Sequence, residues 1–141
     1  MQRIRTLHKD HFDTEGIDCR VAVSYESISI TMDERMIEQV LINLVKNAME
    51  ALQTTTGPVL TLSARKNGNE TILAVSDNGP GIPEDQLDHI FIPFYSTKEA
   101  GSGVGLSFSQ HIMRMHQGRI HVRSRQDEGT EIQLIFSAEF S

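Results

Sequence analysis

The stretch Asp77-Asn78-Gly79-Pro80-Gly81-Ile82 is the most informative part of this 141-residue chain. It follows the strand-like run Leu73-Ala74-Val75-Ser76, so Asp77 stands where a buried strand ends. A carboxylate there can accept a hydrogen bond from an exocyclic amine, such as that of adenine. Gly79 and Gly81 allow the backbone to turn sharply and to approach a flat ring. A tight turn that only closes a strand is the plainer interpretation of Asp-Asn-Gly, and the Pro80-Gly81-Ile82-Pro83 continuation weakens it.

A second glycine cluster, Gly101-Ser102-Gly103-Val104-Gly105-Leu106, opens a segment with helical periodicity. Backbone N–H groups at a helix N-terminus bind anions, and glycines allow phosphate oxygens to come close. A dinucleotide-binding loop would need a strand directly before these glycines, but a long polar loop precedes them, and the chain has no GxxxxGK[ST] motif. The cluster is therefore interpreted as a phosphate-binding segment beside a movable loop.

That loop contains Phe91-Ile92-Pro93-Phe94-Tyr95-Ser96-Thr97-Lys98. Aromatic residues in a polar loop are most often packing anchors, and a lid that opens and closes would need such an anchor with glycine hinges beyond it. Lys98 could reach a phosphate as a point charge. A solvated surface lysine is the equally open alternative.

A helix is predicted to begin at Asp33, a good N-cap residue, because apolar residues follow at three- and four-residue steps. The opposite face carries Asn43, Lys46, Asn47 and Glu50. Most helices have a solvated polar face, and that is the default interpretation. The sharper one is that the paired amide oxygens bind Mg²⁺, which takes few protein ligands and leaves its other positions to water and phosphates.

The remaining pattern predicts an α+β fold. Strands are expected at 19–25, 28–30, 59–65 and 71–75, the last two joined by an Asn67-Gly68 turn. Short helices are expected over 83–90 and 104–116, with Gly118 as the stop, before a hairpin of 120–122 and 131–136. The sum is a two-layer sandwich of a mixed, mostly antiparallel sheet with helices on one face.

Composition and charge argue against several classes of protein. The net charge is −6, which counts against a nucleic-acid binder. No apolar run approaches the roughly 20 residues that span a bilayer, so membrane contact by these residues is not expected. One cysteine, Cys19, rules out an internal disulfide. A cytoplasmic location is expected, with any membrane anchor lying elsewhere in a parent protein.

Five segments together resemble the catalytic domain of sensor histidine kinases. Asn43-Leu44-Val45-Lys46-Asn47-Ala48 is similar to their N box, Asp77 to Ile82 to the G1 box, and Phe91 to Lys98 to the F box. Gly101 to Leu106 is similar to the G2 box, and Gly129-Thr130 to the final Gly-Thr. The resemblance implies the GHKL ATP-binding fold over residues 18–141, preceded by a lead (1–17) that ends a linker from a dimerisation domain.

The resemblance also implies roles. Asn47 would bind Mg²⁺, Asn43 would face the phosphates, and Asp77 would bond the adenine amino group with help from Thr130 through water. Asn43 and Lys98 would be the catalytic residues. The other implied ATP-binding positions are Lys46, Gly79, Gly81, Ile82, Gly101, Gly103, Val104, Gly105 and Leu106. The expected reaction is transfer of the γ-phosphate of ATP to a histidine on a separate dimerisation domain of the same parent, and indirectly to a response regulator.

Alternatives and departures remain at this stage. Hydrolytic ATPases of the fold place a Glu one turn before the Mg²⁺-binding Asn, whereas this chain has Asn43, and an amide cannot take a proton from water. A serine kinase of the same superfamily and a degenerate, non-enzymatic module stay open. None of the six histidines lies in an acceptor-like helix pair, and His116-Gln117-Gly118 replaces a frequent His-Gly-Gly.

Overall fold

The computed structural model describes residues 12–13, 16–23, 34–87 and 104–137. The predicted strand at 28–30, the N-cap at Asp33, the loop over 91–102 and most of the lead lie outside the described residues. The elements in chain order are β1 (Asp18–Val23), α1 (Glu34–Ala51), β2 (Val59–Asn67), β3 (Glu70–Asp77), α2 (Glu84–Leu87), α3 (Val104–Met115), β4 (Arg119–Arg125) and β5 (Gly129–Ser137).

The five strands form one sheet in the order β1-β2-β3-β5-β4. β1 runs parallel to β2, and every other neighbouring pair is antiparallel. Gly68 has φ +62 in the turn between β2 and β3, which fits the Asn67-Gly68 hairpin signal. The long connection after β3 lets β5, rather than β4, pair with β3. The predicted α+β class with a mixed, mostly antiparallel sheet is confirmed.

One apolar core lies between the sheet and the helices. Strand alternation turns Leu62, Val75 and Ile132 to the same face, where they occupy one register row across β2, β3 and β5. α1 covers this face with Val40 and Leu44, which are 0% and 1% exposed. α1 packs against α3 and β3, and α3 packs against β4. No helix in the described ranges has the length and apolarity that a membrane crossing requires.

The end of α3 corrects a detail of the sequence analysis. The Gly118 N–H donates to the Met113 carbonyl at 2.8 Å and the Gln117 N–H to the Arg114 carbonyl at 3.1 Å, which together form a Schellman motif. The left-handed position of that motif belongs to Gln117, with φ 59, and not to Gly118. Gly118 is needed for space, because an added Cβ would lie 2.8 Å from the Ile135 carbonyl oxygen.

Candidate functional site

A polar row crosses the sheet at the end where β3 stops. Asp77 is the register partner of Thr130 on β5, and Thr130 is the register partner of Ser124 on β4. Directly opposite residues of an antiparallel pair share one face of the sheet. Leu60 continues the row on β2 and is fully buried. The row lies on the helix-covered face and is the last one before the strands end, so its polar groups border the apolar core.

The carboxylate of Asp77 is held by the loop that follows it. Its Oδ1 accepts a hydrogen bond from the Gly79 N–H at 2.9 Å. Gly79 is itself buried, and a Cβ there would lie 3.1 Å from the Ala51 carbonyl oxygen at the end of α1. The absence of a side chain at position 79 therefore allows the Asp77 loop to pack directly against the last turn of α1.

The loop is also fastened to the β4–β5 turn. The Asp127 N–H donates to the Pro80 carbonyl at 2.6 Å, and the Ile82 N–H donates to Ser124 Oγ at 2.7 Å. Gly81 has φ +74, and a Cβ on it would overlap the backbone of Arg125. Glycine is required at 81 for two reasons, the left-handed backbone and the close approach of a second chain segment.

Asn78 plays a structural part that the sequence analysis did not assign. Its Oδ1 accepts from the Val59 N–H at 2.7 Å, and its Nδ2 donates to the Gly57 carbonyl at 3.0 Å. The side chain thus joins the Asp77 loop to the segment that leads from α1 into β2. An Asn in a turn commonly bonds its own backbone, so the sequence carries no signal for this longer-range bridge.

Thr130 is placed by its neighbours on both sides. Gly129 has φ +128, and a Cβ there would overlap the Asp77 carbonyl oxygen, so β5 enters the sheet directly against the end of β3. Ser124 Oγ lies 2.8 Å from Thr130 Oγ1. The sequence analysis missed Ser124. The hairpin register, counted back from Gly129-Thr130 across the turn, is the signal that would have found it.

The α1 residues lie one and two turns before the contact with this loop. Asn43 and Asn47 are half-buried and Lys46 is exposed. The Gln39 Nε2 donates to Asn43 Oδ1 at 3.2 Å. This face, for which a solvated polar face was the default interpretation, is thus partly covered. Amide oxygens suit a hard cation such as Mg²⁺. Among the described residues, no group of three or more His, Cys, Asp or Glu is placed to hold a metal ion.

The third part of the predicted site is only partly described. The backbone of Val104, Gly105 and Leu106 forms the first turn of α3, and Leu106 packs partly buried against the core. Lys98, Gly101 and Gly103, with the segment from Phe91 to Lys98, lie outside the described residues. The structure therefore brings together Asp77, Gly79, Gly81, Ile82 and Thr130, and it joins them to the end of α1.

A groove of about 610 Å³ opens at the polar row. Most of its lining residues are polar or charged, namely Ser76, Asp77, Arg123, Ser124, Arg125, Glu128, Thr130 and Glu131, and Leu87, Val122 and Gly129 complete it. This volume is within the usual range for small-molecule sites, and the lining is more polar than that of most such sites. Asp77 and Thr130 offer hydrogen-bond acceptors at this groove, which suits a ligand that presents a donor along one edge.

Comparison with known proteins gives a consistent result. Residues 32–139 match the family described as histidine kinase-, DNA gyrase B- and HSP90-like ATPase. Sporulation kinase C of Bacillus subtilis is 38% identical over 106 residues, which are 75% of this chain and 24% of that protein. Sporulation kinase A of the same organism is 35% identical over 133 residues, which are 94% of this chain and 22% of that protein. The chain thus spans about a quarter of the length of these curated relatives.

Solved structures agree with the sequence comparison. The nucleotide-free catalytic domain of the histidine kinase ThkA matches with a TM-score of 0.86 and 29% identity, covering 97% of this chain and 89% of that one. The histidine kinase ThkA in complex with the response regulator protein TrrA matches with a TM-score of 0.82 and 25% identity, covering 97% of this chain and 39% of that one.

Proposed function

This chain belongs to the histidine kinase-, DNA gyrase B- and HSP90-like ATPase family, and we propose that it binds Mg²⁺-ATP and delivers the γ-phosphate to a histidine on a separate dimerisation domain of its parent protein. Its relatives include proteins named sensor histidine kinases, and the chain is an ATP-binding catalytic domain of that kind. The observation that best supports the proposal is the polar row, in which the carboxylate of Asp77 and the hydroxyl of Thr130 lie side by side at the groove.

The adenine ring is proposed to sit beside the polar row of Asp77, Thr130 and Ser124. Asp77 would accept a hydrogen bond from the 6-amino group, and Thr130 would assist directly or through one water molecule. Gly79 and Gly81 let the loop come close to the ring, and Ile82 would contact it. The loop packs against the last turn of α1 and is hydrogen-bonded to Ser124 and Asp127 without a ligand, so binding needs little ordering of this part of the chain.

The phosphates are proposed to extend from the groove along α1 toward the start of α3. Asn47 would hold Mg²⁺ with one amide oxygen, and Asn43 and Lys46 would bind phosphate oxygens. Bound Mg²⁺ would neutralise charge on the phosphates, and phosphoryl transfer depends mainly on such charge neutralisation and on positioning. Gly101, Gly103, Val104, Gly105 and Leu106 would contribute backbone groups at the helix start, and Lys98 a further cation.

Transfer to a protein histidine, rather than rapid hydrolysis, fits the residue one turn before Asn47. Asn43 is an amide and cannot act as a general base toward water. Its Oδ1 already accepts a hydrogen bond from Gln39, which orients the side chain. A relative of the same fold has been solved in complex with a response regulator protein. We therefore propose that the phosphate passes from the histidine to a response regulator, with these residues on the cytoplasmic side of a parent protein.

The test is a phosphotransfer assay with ATP labelled at the γ-phosphate. This chain is mixed with Mg²⁺ and the parent's histidine-bearing dimerisation domain, and the labelled product is treated with acid and with base. Phosphohistidine is acid-labile and base-stable, so label lost in acid supports the proposal. Acid-stable label on a serine would assign the chain to the serine kinases of the superfamily. Release of inorganic phosphate alone would assign it to the ATPases.

A further inference from the structure

One hydroxyl joins three separate parts of the candidate site. Ser124 Oγ accepts the Ile82 N–H at 2.7 Å, lies 3.1 Å from the Gly129 carbonyl oxygen and lies 2.8 Å from Thr130 Oγ1. Ile82 belongs to the loop after Asp77, while Gly129 and Thr130 begin β5. Ser124 is half-buried at the end of β4, in the same register row as Thr130 and Asp77.

The directions of these hydrogen bonds follow from counting protons. A backbone N–H can only donate and a backbone carbonyl can only accept. Ser124 has one proton and two lone pairs, so it accepts from Ile82 and gives its single proton to the Gly129 carbonyl. The short contact with Thr130 is then satisfied only if the Thr130 hydroxyl donates to Ser124. With this assignment the single proton of Ser124 and both of its lone pairs have partners, as is usual for partly buried polar groups.

We infer that Ser124 is a positioning residue that fixes the Thr130 hydroxyl as a hydrogen-bond acceptor toward the ligand, and so makes the site select a 6-amino purine over a 6-oxo purine. The inference rests on the proposed function, because it assumes that a purine ring occupies the groove. With its proton engaged by Ser124, Thr130 presents only lone pairs. The ionised carboxylate of Asp77 beside it also presents only lone pairs. The edge formed by the two residues therefore complements a donor.

A water molecule that bridges the two residues and the ring would also present only a hydrogen-bond acceptor to the ring. A water that donates one proton to Asp77 and the other to Thr130 has both protons engaged, so it offers only a lone pair to the ring. The 6-amino group of adenine can donate to that lone pair, whereas the 6-oxo group of hypoxanthine or guanine meets it with a second acceptor. A site with buried acceptors discriminates strongly against a ligand that leaves them unpaired.

Nucleotide selectivity distinguishes two roles of Ser124, namely orienting the Thr130 hydroxyl and only holding the loop in place. If Ser124 only fastened Ile82 and Gly129, its loss would weaken all purine nucleotides equally. If it also orients Thr130, its loss frees the Thr130 hydroxyl to turn and donate to a 6-oxo group. ATP and inosine triphosphate differ at this position of the ring, so the ratio of their dissociation constants reports the direction of the Thr130 hydroxyl.

The experiment measures the dissociation constants of ATP and inosine triphosphate with Mg²⁺ for the whole chain and its variants. We expect the unaltered chain to prefer ATP and Ser124→Ala to reduce that preference at least about fivefold. Ser124→Thr keeps a hydroxyl and should restore most of the preference. Ser63→Ala, the same change on β2 with its register partner Ala74, is the matched control and should leave the ratio unchanged.

Thr130→Val keeps the test decisive if Ser124→Ala does not fold. It removes the oriented hydroxyl, so it should lower the ATP preference in the same direction, and adding Ser124→Ala to it should change the ratio no further. An unchanged ratio of the two dissociation constants in Ser124→Ala would overturn the inference without affecting the proposal that the chain binds ATP. If Ser124→Ala is unfolded, an unchanged ratio in Thr130→Val would do the same. Failure of the unaltered chain to bind either nucleotide would instead overturn the proposed function together with the inference.

Discussion

Asp77 and Thr130 are register partners on β3 and β5, and the backbone of Gly129 lies directly against the Asp77 carbonyl. The spacing of the two side chains is therefore set by the sheet, in which opposite Cβ atoms lie about 4.5–5.5 Å apart. A pair held in this way needs no loop movement to come together. The proposed recognition of the ring edge would thus use a pair that the sheet itself holds in place, while the proposed phosphate-binding elements lie on α1 and at the start of α3.

The carboxylate of Asp77 should be indispensable for nucleotide binding and dispensable for folding. Asp77→Asn keeps an oxygen for the Gly79 N–H but introduces an NH₂ group that opposes the adenine amine. We expect ATP binding to fall below detection in calorimetry, with an unchanged unfolding midpoint to within a few degrees. Asp18→Asn, an exposed position at the start of β1, is the control and should bind normally. Near-normal affinity of Asp77→Asn would refute the adenine assignment.

The close approach at Gly81 should make it far less tolerant than another glycine with the same backbone angle. Gly68 has φ +62 with nothing within 4 Å of an added Cβ, so Gly68→Ala should cost only the left-handed strain, about 1 kcal/mol. Gly81→Ala adds overlap with the Arg125 backbone and should cost more than about 2 kcal/mol. Urea unfolding of both variants measures the difference. Equal losses would show that the Gly81 contact is not important.

The left-handed residue at the end of α3 offers a stabilising substitution. Gln117 has φ 59, where glycine has no steric penalty. Gln117→Gly should raise the free energy of unfolding by about 0.5–1 kcal/mol, the residual after the extra chain entropy of glycine in the unfolded state. Gln126→Gly, also exposed but without a positive φ, should not stabilise. A destabilised Gln117→Gly chain would argue against the Schellman geometry.

The amide of Asn47 should matter only when the metal is present. Asn47→Ala should lose the part of ATP affinity that Mg²⁺ adds in the unaltered chain, and should bind metal-free ATP about as before. Asn69→Ala, on the exposed β2–β3 turn, should retain the full Mg²⁺ effect. Calorimetric titrations with Mg²⁺ and with a chelator measure both. An equal loss of affinity in the two conditions would point to a structural role for Asn47.

Local sequence patterns predicted most of the fold because each pattern is compatible with few backbone conformations. The spacing of Val40, Leu44 and Ala48 defined the buried face of α1, and Asn67-Gly68 defined a hairpin turn. The sequence also placed Asp77 at the end of a buried strand. In each case residues that are close in sequence both form the recognisable pattern and determine the local structure.

What the sequence could not supply depends on contacts between distant segments. The bridge from Asn78 to Gly57 and Val59 and the bond from Ile82 to Ser124 join residues that lie 19 to 42 positions apart. Gln117 adopts the left-handed conformation although Gly118 is the better intrinsic choice, because Gly118 is held close to the Ile135 backbone. Tertiary packing determines these features, so they cannot be predicted from composition or periodicity.

Calorimetric titration of the purified chain with ATP, with and without Mg²⁺, measures directly whether the chain binds Mg²⁺-ATP. We expect saturable binding near one site per chain, and we expect Mg²⁺ to strengthen it. The absence of binding in either condition, verified by a second method on a chain shown to be folded, would contradict this expectation and would leave only the fold in common with its relatives.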